Sequence, residues 1–313
     1  MLHVRVITPR ELASTVLDYL RGSESVTNVI HLPGSAQKPP GDLILCDVAR
    51  EDCSVITGGL TKFGLKDVGA VAVESIEVML SDAAQDAEDH AAGAASDAVV
   101  WEQVSAQTSE SAELSASFLA FMVLATLLAA VGILTDSVIL VIGAMVVGPE
   151  FGPLAAMCVA ITERRMSLAK RSALALLAGF PAGIFAAFVL TATLRGFDVI
   201  PGALSAHARA QTLFISHPDL FSPIVAGLAG VAGMLSLTTA KSGALIGVLI
   251  SVTTIPAAAN IGVAAAYGDT TELGGATQQL AINLGMLLLS SVGTLLVQRL
   301  AFRRRLRAAR LRA

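Results

Sequence analysis

The chain has 313 residues, 54% of them hydrophobic, with a formal net charge of −4 at pH 7 and a mean hydropathy of +0.71. Such an apolar chain is not an ordinary soluble protein, and its mild acidity excludes a nucleic-acid binder that works through basic charge. The acids concentrate in residues 1–115, whereas residues 116–300 are nearly charge-free apart from short clusters between apolar runs, so a soluble front and a membrane rear are expected.

The front opens with "LHVRVI" (2–7), which alternates as a strand does. "TPRELASTVLDYLRG" follows, with Thr8, Pro9 and Glu11 spaced as a capping box, Leu12, Val16, Leu17 and Leu20 on one helical face, and Gly22 as the stop. "VTNVIHL" (26–32) reads as a second strand, "QKPPGD" as a turn and "LILCDV" (43–48) as a third strand. "EDCSVITGGLTKFGL" is a second helix with Val55, Ile56, Leu60 and Phe63 inward, and "VGAVAVESIEVML" (68–80) a fourth strand. The order βαββαβ within residues 1–80 is the ferredoxin-like plan, which names no chemistry by itself. No secretory signal is read at "MLHVRVITPREL", so this domain is expected in the cytoplasm. Cys46, Cys53 and Cys158 form no C-x-x-C pair and stand beside no histidine cluster; reduced, buried thiols are expected, with no metal and no cofactor.

Residues 81–115 are rich in alanine, acid and serine and read as a linker that ends in a juxtamembrane helix, "DAVVWEQVSAQ". Trp101 suits either the membrane surface or the front domain. Six apolar runs then occupy 117–134, 138–162, 172–194, 222–239, 243–266 and 278–298, within a membrane domain 116–298 that ends in a basic tail, 299–313. Twelve basic residues lie in the loop 163–171, at Lys241 and in the tail, against two, Arg195 and Arg209, in the other loops. The positive-inside rule therefore places both termini in the cytoplasm of a multi-pass cell-membrane protein, and the arginine tail also suits anionic lipid.

Sliding the chain by 104 residues lays "LTDSVILVIGAM" on "TTAKSGALIGVL" and span one, two and three on four, five and six. Units of three spans are odd, so the second copy must be inverted, which is a transporter pattern. Both copies are broken, at Gly148, Pro149, Glu150, Gly152 and Pro153 in span two and at Thr253, Thr254 and Pro256 in span five. Irregular backbone at membrane depth must be buried or line a cavity, so these residues, with Asn260 beyond the second break, are the candidate solute or ion site. Glu150 is the sole acid inside an expected span, Lys241 is a candidate partner for it, and Ser251 and Asn283 are further polar neighbours. Packing kinks are the alternative reading of the prolines. Small-residue spacings such as Gly179-x-x-x-Gly183 and Gly243-x-x-x-Gly247, and the series Gly227, Gly230 and Gly233, point to close helix contact and a homo-oligomer.

The blocks "DAVVWEQV", "VIGAMVVGPEFGPLAA" and "SHPDLFSPIVAGLAGVAGMLSLTTAKSGALIGVLISVTTIPAAANIG" resemble the bacterial membrane family called domain of unknown function 389, from about Asp97 to Val297. The family's usual first break is closer to P-L-M-G-P, so Glu150 departs from it. The resemblance implies a multi-pass membrane protein with a cytoplasmic front domain and carries no substrate.

Two functions fit. One is a transporter or channel-like protein for a small polar solute or ion, with a regulatory or oligomerising front domain. The other is a membrane-anchored metabolite sensor without transport. An enzyme is not expected, since the spans hold no Ser–His pair, paired aspartates or H-E-x-x-H, and His207 and His217 fall in an outer loop.

Overall fold

The computed structural model describes residues 1–91, 97–201, 211–239, 248 and 253–310. Part of the linker, His207, Arg209, Lys241, the Gly243/Gly247 pair, Ser251 and most of the first half of the fifth expected span lie outside the described residues. The chain forms two compact units, one built on residues 1–104 and the other on 105–237 and the described part of 241–305.

The first unit holds β1 (Leu2–Thr8), α1 (Arg10–Arg21), β2 (Val26–Gln37), β3 (Pro40–Val48), α2 (Cys53–Lys62), α3 (Leu65–Val68), β4 (Ala70–Ser75) and α4 (Asp82–His90). The sheet order is β2-β3-β1-β4 and every pairing is antiparallel. Alternation along β1 buries Leu2, Val4, Val6 and Thr8, and the apolar ones among them meet Val16, Leu17 and Leu20 of α1 and Cys53, Ile56 and Leu60 of α2. Leu20 and Leu60 are fully buried, each contributing roughly 1.5–3 kcal/mol of transfer free energy. Tyr19 and Phe63 close one end edge to face, with centroids 5.5 Å apart.

Several local expectations change. The capping box does not form: Thr8 is the last residue of β1, paired with Asp42, and Pro9 caps α1 without a side-chain bond. The sheet has taken the residue that the helix would have used. β2 and β3 extend toward each other and shorten the expected turn to Lys38–Pro39. β4 is only six residues long: Leu65–Val68 turn into a short helix before it, and residues 76–80 leave the sheet after Ser75. Part of the expected linker is helical: Ser81 caps α4 by accepting from the Ala84 amide, and the amino group of Met1 pairs with Glu88 at 2.7 Å. The start of α5 (Trp101–Ser111) is fixed on α2. The Trp101 amide donates to Ser54 Oγ, and the hydroxyls of Ser54 and Thr57 donate to the Glu102 carboxylate at 2.6 and 2.7 Å. Of the two places open to Trp101, its backbone takes the front domain.

Apart from Thr238 and residues 306–310, the second unit contains α6 (Ala116–Leu134), α7 (Val138–Val147), α8 (Phe151–Glu163), α9 (Met166–Gly196), α10 (Phe221–Thr238), α11 (Thr254–Tyr267) and α12 (Thr270–Arg310). Serines start two of them: Ser115 and Ser137 accept from the amides of Phe118 and Leu140. Among the described residues, α6, α9, α10 and Thr270–Arg304 of α12 are long and apolar enough to cross a membrane, and α7 with α8 makes a fifth candidate bent by 50°. α11, at 14 residues, is too short to cross alone. The core uses small residues: Ala125, Ala129 and Ala130 of α6, Ala187 of α9 and Ala257, Ala258 and Ala259 of α11 are fully buried. Gly179 and Gly183 let α9 close on Phe118, Met122 and Thr126 of α6, as their spacing predicts. Large apolar groups point outward instead, including Phe121, Leu124, Leu177 and Phe185, which is the arrangement a lipid surroundings requires.

Candidate functional site

α7 ends at Val147 and α8 begins at Phe151, leaving Gly148, Pro149 and Glu150 in the bend. Pro153 is the third residue of α8, where its missing N–H costs the helix nothing. α11 repeats this start: Thr253 precedes the helix and Pro256 is its third residue.

The two starts meet. Thr254 Oγ1 donates to Glu150 Oε1 at 2.7 Å, a bond between buried groups 104 residues apart. Glu150 is only 4% exposed, and its other oxygen, Oε2, has no hydrogen-bond partner among the described residues. That oxygen lies back over Gly148. A Cβ there would strike Glu150 Oε2 and come within 2.7 Å of the Ile255 side chain, so any larger residue would have to displace both. Gly148 is also the cap of α7, so the free carboxylate oxygen sits at the carbonyl end of that helix. The N-terminal ends of α8 and α11 favour the negative charge, whereas the C-terminal end of α7 opposes it. An anionic group so placed is relieved by a proton, a cation or water.

Beside this bond lies a second polar cluster. Thr253 Oγ1 accepts from Asn283 Nδ2 at 2.9 Å and from Gln279 Nε2 at 3.3 Å. Gln279 and Asn283 are both buried, one turn apart on α12, and Gln279 Oε1 has no partner among the described residues. Sequence reasoning noted Asn283 and passed over Gln279. The signal available was their i, i+4 spacing on one face of an apolar span.

The candidate residues are therefore only partly gathered. Gly148, Glu150, Thr253 and Thr254 share the junction of the breaks. Pro153 and Pro256 are buried in the first turns of α8 and α11. Gly152 faces the end of α5, where a Cβ would be 2.9 Å from Ser111 Cβ. Asn260 stands farther along α11 and donates to Glu272 at 3.3 Å, away from the break. Lys241, the candidate partner of Glu150, lies outside the described residues.

The 104-residue interval returns in other contacts. Arg195 Nη1 donates to the carbonyl of Ala266 near the end of α11, and Arg299 Nη1 donates to the carbonyl of Thr162 near the end of α8. The two arginines are 104 residues apart, and so are the two carbonyls. Cys158 Sγ of α8 donates to the Leu288 carbonyl of α12, while Gly262 of α11 packs directly on the Ile184 carbonyl of α9. Both helices stop alike. Arg164 and Gly268 have left-handed φ of 58° and 71°, and the next amides, Arg165 and Asp269, return to Ala160 and Ala264.

These features define a membrane-like helical protein with a small antiparallel-sheet domain at its front. Residues 145–289 match the family described as Domain of unknown function (DUF389), in accord with the resemblance read from the sequence. The match takes in both breaks. The chain is also 29% identical over 187 residues to an uncharacterized protein of Methanocaldococcus jannaschii. That alignment covers 59% of this chain and 55% of the relative, so the chain spans about half the length of the curated relative it matches. The organism is an archaeon, and the restriction to bacteria in the sequence reading was too narrow. No solved structure matches the chain.

Proposed function

We propose that the chain is a secondary transporter or channel-like protein for a small polar solute or ion, whose pathway passes the junction of the two breaks. The observation that carries this reading is the Glu150–Thr254 bond with Glu150 Oε2 left without a hydrogen-bond partner among the described residues: a carboxylate is buried where apolar side chains would pack at lower cost. At the centre of a span such a group costs at least ~2.5 kcal/mol, which a merely structural role does not explain.

The membrane part is read as six spans in two inverted three-helix repeats. Residues related by the interval make reciprocal contacts, Arg195 to Ala266 and Arg299 to Thr162, as a twofold relation between the copies requires. Glu150 and Thr254, themselves one interval apart, touch each other, as residues beside such an axis do. The front domain is read as ferredoxin-like, supported by the order β2-β3-β1-β4 with all pairs antiparallel and helices after β1 and β3. With the charge asymmetry of the loops, both termini are placed in the cytoplasm of a cell membrane, and the protein acts as a homo-oligomer.

The test is whether water reaches the junction. In a chain with Cys46, Cys53 and Cys158 replaced by alanine, Thr254→Cys in proteoliposomes should react with a charged methanethiosulfonate reagent, and Ala258→Cys, deep in the same helix core, should not. Equal inertness of both would leave the breaks as packing kinks.

A further inference from the structure

A cleft of about 610 Å³ opens where the C-terminal end of α8 meets α12, and its lining is of two kinds. Ile161, Val292, Leu296 and Leu300 are apolar, and three of them are about half exposed: Ile161 50%, Leu296 46% and Leu300 57%. Arg164, Arg299 and Arg303 supply three guanidinium groups. The sole acid of the lining, Glu163, lies 3.6 Å from Arg165, a residue outside the lining, and so is already compensated. Arg299 spends one N–H on the Thr162 carbonyl, and Arg164 and Arg303 make no ion pair among the described residues. The cleft therefore offers unspent, planar, bidentate donors beside an uncovered apolar wall.

The other end of the unit shows what the same contact looks like when the chain fills it. One 104-residue interval away, Glu163 corresponds to Tyr267, Arg299 to Arg195 and Arg164 to Gly268. There the Arg195 guanidinium lies 4.4 Å from the centroid of the Tyr267 ring, and the tyrosine hydroxyl donates to the Pro201 carbonyl at 2.8 Å. The ring occupies the place beneath the arginine. At the α8–α12 end no ring lines the cleft among the described residues, and two further arginines do.

We propose that this cleft binds an anionic phospholipid, its phosphate held by Arg164 and Arg303 with Arg299 behind them, and an acyl chain laid along Ile161, Leu296 and Leu300. Charge selects the occupant: three guanidinium groups against one compensated carboxylate call for a phosphate of net negative charge. The half-exposed apolar wall calls for a hydrocarbon chain on the same molecule, which a free phosphate compound lacks. The volume lies within the range of ordinary small-molecule sites.

Native mass spectrometry of the full chain, with phosphatidylglycerol, phosphatidylcholine or glycerol phosphate added at equal concentration, tests this. Phosphatidylglycerol should be retained in preference to phosphatidylcholine, and glycerol phosphate should not be retained. The double variant Arg164→Gln/Arg303→Gln should lose that preference by roughly 30-fold, on ~1 kcal/mol per arginine near an anionic headgroup. Lys170→Gln/Arg171→Gln removes two exposed basic groups outside the cleft and should keep the preference. Equal loss in both double variants would reduce the effect to general surface charge and overturn the site. Equal retention of glycerol phosphate would overturn the lipid as occupant. A melting temperature for each variant separates lost binding from lost folding: an Arg164→Gln/Arg303→Gln chain that melts like the parent yet keeps its preference would overturn the proposal outright.

Discussion

Glu150 and Thr254 lie 104 residues apart in sequence and 2.7 Å apart in space, and each stands at the start of a buried half-helix. Thr254→Val keeps the shape, removes the donor and leaves both carboxylate oxygens unpartnered. It should cost roughly 1–3 kcal/mol, the usual penalty for a buried group left unsatisfied. In a Glu150→Leu background the same change should cost much less, because no charge remains to satisfy. Thermal unfolding of the four chains in one detergent gives the coupling, and additive effects would deny that the bond matters to folding.

The reciprocal arginine caps make a second prediction. Arg195→Leu removes a carbonyl cap and a ring contact, and Arg299→Leu removes the corresponding cap at the end of α8. Each should lower the melting temperature, Arg195→Leu more, because a cation over an aromatic face adds ~0.5–1 kcal/mol or more. The double variant should sum the two losses, since the two guanidiniums cap carbonyls on different helices. Pronounced non-additivity would mean that the two ends are coupled through a rearrangement.

In the front domain, Asp42 is held below the usual carboxylate range, first by the Gly34 amide at 2.9 Å, then by His31 at 2.8 Å, with Arg10 adding positive charge. A carboxyl group whose folded pKa lies below its unfolded one adds stability that is complete above the unfolded value of ~4 and is lost as pH falls through the folded value. Asp42→Asn should therefore destabilise the protein at neutral pH, and its stability should converge on the parent's in acid. Chemical denaturation at pH 7, 5 and 3 follows that difference. A gap that widens toward pH 3 would have the wrong sign.

The thiols of Cys46 and Cys53 are pushed up to about 12, in both cases chiefly by burial, with Asp47 adding to the effect at Cys46 and Glu102 at Cys53. Neither should form a thiolate at pH 8, where a free cysteine is partly ionised. Colorimetric thiol titration of the native protein should leave both unreacted, and both should react in denaturant. Rapid native labelling of either would mean that the first unit opens locally.

What the sequence made legible followed the strength of its periodic signals. Long apolar runs between basic clusters located α6, α9 and α10 to within a few residues at most ends, because desolvation of a 20-residue segment outweighs every local preference. The paired breaks were visible as proline and glycine within those runs. Glu150 was visible as the sole acid there, and the 104-residue slide aligned the two breaks, but the bond to Thr254 is a long-range contact that the slide does not state. Gln279 was not legible, since one amide in an apolar span reads as packing until a partner such as Thr253 is seen. The capping role of Thr8 failed because β1 claimed that residue. α4 was missed because its Ala-rich, acidic composition also suits a linker, and the bond from Met1 to Glu88 is long-range.

The central claim is that Glu150 is part of a pathway, and ion flux tests it most directly. The full chain is reconstituted in proteoliposomes with a trapped pH dye and a trapped Na⁺ dye, and a K⁺ diffusion potential is imposed across a range of external pH. A pH-dependent flux is expected from the parent chain, with the pH dependence abolished in Glu150→Gln while the variant melts as a folded protein. No flux of either ion from the parent, or a pH profile unchanged in Glu150→Gln, would contradict the assignment of Glu150 to an ion pathway.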